Sequence, residues 1–135
     1  MTAAELRYLI AIDDLYDGKN GVKLTDIASK VCVSKVSVYR AVERLEKSGY
    51  VERNDKNKVI LREYGKNQLS DYMEIIDFIR IHLEKQCGTP QDIAYNDALG
   101  AACAFSDVSR EKITEIIKSC KFKCDISETE GEKND

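Results

Sequence analysis

Apolar positions along residues 3–121 change period twice, and the changes mark out a small set of elements. In residues 3–16, AAELRYLIAIDDLY, the placing of Leu6, Leu9, Ile10 and Leu15 predicts an amphipathic helix with those four residues inward. The polar run 17–21, DGKNG, breaks it with turn residues. Helical spacing returns from residue 24 in two blocks. LTDIASKV places Ile27, Ala28 and Val31 inward, with Thr25 as the predicted N-cap. SKVSVYRAVERLEK places Val38, Val42 and Leu45 inward at i, i+4, i+7, with Ser34 as its cap. Gly49 supplies a residue that stops a helix in the left-handed conformation. Residues 50–53, YVER, and 58–61, KVIL, then read as strands around the turn NDKN. Helix, tight connection, longer helix and hairpin, in that order, predict a winged helix-turn-helix, whose natural ligand is duplex DNA.

The helical period resumes over residues 64–85, with Leu69, Tyr72, Met73, Ile76, Ile79 and Leu83 on the apolar face, and Gly88 ends it. Thr89 as cap, Pro90 at the first helical position and Asp92 near the start open a further helix to about residue 105. That helix is rich in small residues (Ala98, Gly100, Ala101, Ala102, Cys103, Ala104), which let another helix approach closely and predict burial. Ser106 or Ser109 caps a last helix ending near Lys121, and the polar stretch SETEGEKND reads as disordered. These helices carry more apolar surface than a winged helix needs for itself, which predicts self-association. The expected fold class is therefore mainly α. A winged helix-turn-helix with a small two-stranded wing takes residues 1–66, an α-helical dimerisation domain 67–124, and a disordered acidic tail 125–135.

Charge sharpens this picture. The 135 residues sum to a net −3, but residues 19–66 hold 12 Lys/Arg against 6 Asp/Glu, whereas residues 67–135 hold 8 against 14. The basic excess coincides with the segment that the pattern assigns to DNA, as counterion release requires. On the exposed side of the second short helix, Lys35, Ser37, Tyr39 and Arg40 are the candidates for base edges. Thr25, Ser34, Arg44, Lys56 and Lys58 are the candidates for phosphates. Tyr39 joins the first group because Val38 and Val42 already define the core face. No apolar run is long enough to span a membrane, and the N-terminus lacks a basic region followed by an apolar core, so the expected location is the cytoplasm.

Catalytic chemistry finds little support. His82 is the sole histidine and has no acidic partner nearby in sequence, so no nucleophile–base constellation can be assembled. Asp13, Asp14 and Asp17 read as a solvated helix end and lack the spacing of a calcium loop. The cysteines Cys32, Cys87, Cys103, Cys120 and Cys124 include no CxxC pair and read as reduced thiols. Cys120 and Cys124, four apart, have no third ligand in view. Two alternatives to a DNA-binding regulator stay open: a winged-helix module that binds protein, and a regulator sensing a thiol-reactive or small-molecule signal near Cys103. For Cys103 itself, packing among alanines is the plainer role.

The segments LTDIASKVCVSKVSVYRAVERLEKSGYVE, YGKNQL, DFIRIHL and IAYNDALGAACAFS together span nearly all of residues 5–121. In order and spacing they resemble the diphtheria toxin repressor family, particularly its two-domain, manganese-responsive branch. The resemblance implies a homodimeric transcriptional regulator that binds double-stranded operator DNA when divalent manganese or iron occupies a site between the first helix and the dimerisation helices. The family's ligand positions fall here on Arg7, Ile10, Tyr72, Leu99, Ala102 and Cys103. A hard divalent cation needs carboxylate and imidazole donors, and of these six only Cys103 could ligate anything. The expectation is a homodimeric, repressor-like regulator that uses no manganese or iron.

Overall fold

Chain entry is set by Thr2 and Glu5. Thr2 Oγ1 accepts the N–H of Glu5 at 3.1 Å, and Glu5 Oε2 accepts the N–H of Thr2 at 3.2 Å, a capping box that starts α1 (Ala3–Leu15). This is a computed structural model, which describes residues 1–134 and the side chains of residues 1–120. After α1 come α2 (Leu24–Val31), α3 (Lys35–Lys47), β1 (Val51–Arg53), β2 (Val59–Leu61), α4 (Glu63–Cys87), α5 (Gln91–Ala104) and α6 (Asp107–Asn134). The chain divides into two units, Met1–Ser70 and Asp71–Asp135.

In the first unit α1 buries Leu6, Tyr8, Leu9, Ala11 and Ile12. Leu15, expected inward, is 37% exposed, and Ile10 is half-buried. A five-residue step from Ile10 to Leu15 turns about 140° past a full circle, off the face that Leu6, Leu9 and Ile12 share. In the turn that follows, Asp17 accepts the N–H groups of Asn20 at 2.8 Å and Lys19 at 2.9 Å and the Asn20 amide at 2.9 Å. These bonds, the Asn20 backbone first, hold the Asp17 carboxyl below its ordinary range. A depressed acid lends the turn support above its unfolded pKa and withdraws it as pH falls through the folded one. The Asp17 carboxyl is expected to titrate by NMR below the ordinary aspartate value, and an ordinary midpoint would show the turn open.

Val22 exchanges both backbone hydrogen bonds with Val59, each at 2.8 Å, and so adds a one-residue bridge to the wing. That bridge explains a correction. Thr25 does not cap α2, contrary to the pattern: the cap position is Lys23, which makes no side-chain cap bond, and Thr25 lies within the first turn. With Val22 held in the sheet, the chain can turn helical immediately after Lys23. Leu24 and Ile27 are buried in α2, whereas Ala28 and Val31 are half-buried. The connection to α3 is made by Cys32 at φ 60°, ψ 48°, a left-handed conformation that costs a non-glycine residue roughly 1–2 kcal/mol.

Ser34 caps α3 as expected, its Oγ accepting the N–H of Ser37 at 3.2 Å. Val38, Ala41, Val42 and Leu45 are buried beneath the helix. Gly49, at φ +84°, ends it, with Gly49 N–H donating to Glu46 O and Tyr50 N–H to Leu45 O, each at 3.0 Å. β1 and β2 pair antiparallel with Val51 opposite Leu61 and Arg53 opposite Val59. Asn54 builds the wing turn: its Oδ1 accepts the N–H groups of Lys56 and Lys58, each at 3.0 Å. At the start of α4, Gly65 is packed so tightly on the Tyr50 carbonyl that a Cβ would collide with it.

In the second unit α4 buries Tyr72, Ile75 and Ile76, while Met73, Ile79 and Leu83 are half-buried. Gly88, at φ +69°, follows its end. The cap of α5 is Pro90 with no side-chain cap bond, so Thr89 does not cap it and Pro90 precedes the first helical residue. α5 buries Ala94, Ala98, Leu99 and Ala102 but exposes Gly100 and Ala104, so the small-residue helix is buried on one side only. Ser106, not Ser109, caps α6, its Oγ accepting the Ser109 N–H at 3.2 Å. Arg110 is buried with its guanidinium 4.3 Å from the Tyr72 ring centroid and Nη2 2.6 Å from Asp107 Oδ1. α6 runs past Lys121, where the apolar pattern gives no reason to continue it. The 125–135 segment, expected to be a tail, and Cys124 lie outside the described side chains. No helix is long and apolar enough to cross a membrane among the described residues.

Candidate nucleic-acid interface

The buried stripe of α3 leaves Lys35, Ser37, Tyr39, Arg40 and Arg44 on its exposed sides. Arg40 makes no ion pair among the described residues, so its guanidinium is available to a ligand. Arg44 is engaged: its Nε lies 3.1 Å from Glu5 Oε1, which ties α3 back to the start of α1. Ser34 and Ser37 are engaged too, their hydroxyl oxygens 2.9 Å apart in addition to the capping bond. Tyr39 is 44% exposed, but one face of its ring is covered by the Arg53 guanidinium, whose carbon is 4.6 Å from the ring centroid. The ring therefore packs on one side and faces solvent on the other.

The remaining candidates meet elsewhere. Thr25, Lys35, Lys56 and Lys58, joined by Lys23, Leu24 and Asn57, line an open concavity of about 290 Å³. Four ammonium groups and no carboxylate border it. Two features bring them together: the Val22–Val59 bridge draws the wing onto the entry of α2, and the αL residue Cys32 swings the start of α3 toward the same place. The first backbone N–H groups of α2 have no side-chain cap, so the positive end of that helix adds to the lysines. An anionic backbone fits such a surface by charge.

Three residues at this surface are not singled out by the sequence pattern. Lys23 reads there only as a lead-in to the helix, and Asn57 only as a turn residue. Val36 is passed over because apolar residues are assumed to be inward. It is 62% exposed, one turn before Arg40. A signal does exist: Val36 lies outside the Val38–Val42–Leu45 stripe.

At the positions of the family's metal ligands, Arg7 is exposed, Ile10 and Cys103 are half-buried, and Tyr72, Leu99 and Ala102 are buried. Among the described residues no three His, Cys, Asp or Glu side chains gather where an ion could be held. Cys32, Cys87, Cys103 and Cys120 are not joined in disulfides. His82 has Nδ1 2.8 Å from Phe78 O and its ring 4.3 Å from that of Phe78, a local contact on one helix.

A profile of the MarR family matches residues 1–58. By sequence, no curated protein matches the chain. Among solved structures, a hypothetical protein from Sulfolobus solfataricus is similar with a TM-score of 0.67 and 20% identity, over 87% of this chain and 89% of that one. The manganese regulator SloR is similar with a TM-score of 0.69 and 22% identity, over 87% of this chain and 55% of its own. The metal-dependent transcriptional regulator MtsR follows with 0.68 and 18%, over 87% and 55%. The chain thus spans about half the length of these two regulators. At such identities the likeness is one of fold. The first unit is a winged helix-turn-helix, and its α3 lies inside the residues that the MarR profile matches.

Proposed function

We propose that this chain is a sequence-specific DNA-binding transcription regulator, repressor-like, acting as a homodimer in the cytoplasm. The observation that supports it best is the four-lysine concavity beside the exposed face of α3. Lys35, Lys56 and Lys58, with Lys23 and Thr25, hold phosphates and set the register. Arg40, Ser37 and Tyr39 face base edges in the major groove, and Val36 suits a thymine methyl. Ser34 acts mainly through capping, and Arg44 reaches a phosphate only by exchanging its Glu5 partner. Arg40→Ala is expected to cost about 1–3 kcal/mol on the selected sequence and to relax the choice at one base pair, with little change on random duplex. Equal losses on both would move Arg40 off the bases.

The second unit supports self-association. Phe78, Ile81, Ile93, Val108 and Ile116 are large apolar side chains exposed on it, and a cognate surface on a second copy would cover them. A symmetric pair would place two recognition helices about 34 Å apart, one turn of a palindromic site.

The manganese or iron of the resembling family does not fit here. Leu99, Ala102 and Ile10 have no donor atoms, Arg7 is cationic, and the Tyr72 ring already carries the Arg110 guanidinium at 4.3 Å. We therefore read the regulator as competent without either metal. Selection of bound duplexes from a random pool at stated salt tests the main reading, with sedimentation of the pair and repetition in chelator or added manganese and iron. A selected sequence, a dimer and an affinity indifferent to metal are the expected results. Failure to retain any duplex at low salt would overturn the DNA reading, and a stoichiometric ion that raises affinity would overturn the metal reading.

A further inference from the structure

Arg53 is one of the 12 basic residues that charge alone assigns to DNA. Its side chain is only 16% exposed, and its guanidinium is engaged within the protein. The group lies flat enough on Tyr39 to put its central carbon 4.6 Å from the ring centroid. Nη1 donates to Asn57 Oδ1 at 3.5 Å. Nε is 3.5 Å from Glu46 Oε2, an ion-pair distance, yet that buried N–H makes no hydrogen bond. Tyr39 and Glu46 are seven residues apart and share one face of α3, while Asn57, at φ +61°, shapes the wing turn. One side chain on β1 therefore touches the middle of the recognition helix, its C-terminal end and the wing tip.

We infer that Arg53 is a positioning residue: it fixes the Tyr39 ring and couples it to the wing, and so sets the choice of DNA sequence without touching DNA. The inference rests on the DNA-binding reading above. A half-exposed tyrosine samples several staggered rotamers. A guanidinium stacked on one face holds it in one of them and leaves the other face and the hydroxyl turned outward. A ring held in place before binding loses less freedom on binding, and the gain goes to the one sequence whose groove it matches.

The test compares the full chain with Arg53→Met, Arg53→Lys and Tyr39→Ala, singly and with Tyr39→Ala combined. Affinities for the duplex selected by the unaltered protein and for random duplex are measured across a range of salt, and each variant is melted to confirm folding. Arg53→Met is expected to lower the selected-to-random ratio about three- to tenfold with an unchanged salt slope. Arg53→Lys keeps the charge without the planar stack, guards against loss of fold, and should move the ratio the same way by less. In the Tyr39→Ala background, Arg53→Met should change the ratio no further. A salt slope lower by about 1 would put Arg53 on a phosphate and overturn the inference, as would additive losses in the double variant. In the DNA-free protein the Arg53 side-chain protons should be shifted by the Tyr39 ring current and return to ordinary positions in Tyr39→Ala. Unshifted protons would overturn the pairing whatever the DNA data show. If the pairing stands but the protein selects no duplex, it is the DNA-binding reading that has failed, and the role for Arg53 falls with it.

Discussion

Replacing Lys35, Lys56 and Lys58 together by alanine is expected to weaken binding to every duplex alike, by about 10²–10³-fold near 0.1 M salt. Each neutralised phosphate releases condensed counterions, contributing about 0.9 to the slope of log affinity against log salt. Three phosphates left without their lysines should flatten that slope by about 2.7 and leave the ranking of sequences intact. The three side chains border one concavity with Lys23 and the uncapped start of α2, so they act on the same stretch of backbone. Fluorescence anisotropy with the selected and a random duplex, at several salt concentrations, separates this from Arg40→Ala, whose loss should fall on the selected duplex alone. An unchanged slope would mean that the concavity does not meet DNA.

Gly65→Ala is expected to destabilise the protein by about 3 kcal/mol, near the top of the usual range for overpacking, although helix propensity alone would favour alanine by about 1 kcal/mol. The steric effect decides the sign. The new methyl would collide with the Tyr50 carbonyl, which also accepts the Arg62 N–H at 3.0 Å and belongs to a residue whose ring stacks on Tyr64 at 5.4 Å. A carbonyl held on two sides cannot swing away as a flexible side chain would. Gly100, exposed on α5 with open space for 4 Å around the point where a methyl would sit, is the control. Its replacement by alanine should gain about 1 kcal/mol. Urea midpoints at constant m separate the two, and stabilisation by Gly65→Ala would show that α4 does not pass so close to Tyr50.

The legible part of the fold is the part whose causes lie within a few residues of each other. The stripe Val38–Val42–Leu45, the cap at Ser34, and the helix stops at Gly49 and Gly88 depend on neighbours one turn away, and each appears in the structure; of the two serines that could cap α6, the structure selects Ser106. The wing follows from NDKN between two short β-rich runs, since Asn54 closes that turn with bonds to its own neighbours. Where the pattern is stretched, it fails for a local reason as well: Leu15 lies a five-residue step from Ile10 and is exposed.

By itself, then, the sequence determined the order of helices and hairpin and the segregation of positive charge to residues 19–66, though not where α6 ends, because periodicity and charge are properties of short stretches of chain. Only the tertiary structure decided that Val22 joins the wing, that Thr25 is not a cap, that Gly65 must have no side chain, and which cations are available to a ligand. Arg40 and Arg53 look alike in sequence, yet one is exposed on α3 and the other lies against Tyr39. The reason is physical: these outcomes depend on which backbone or ring arrives from tens of residues away, and such an approach is fixed by packing of the whole unit rather than by any pattern along the chain.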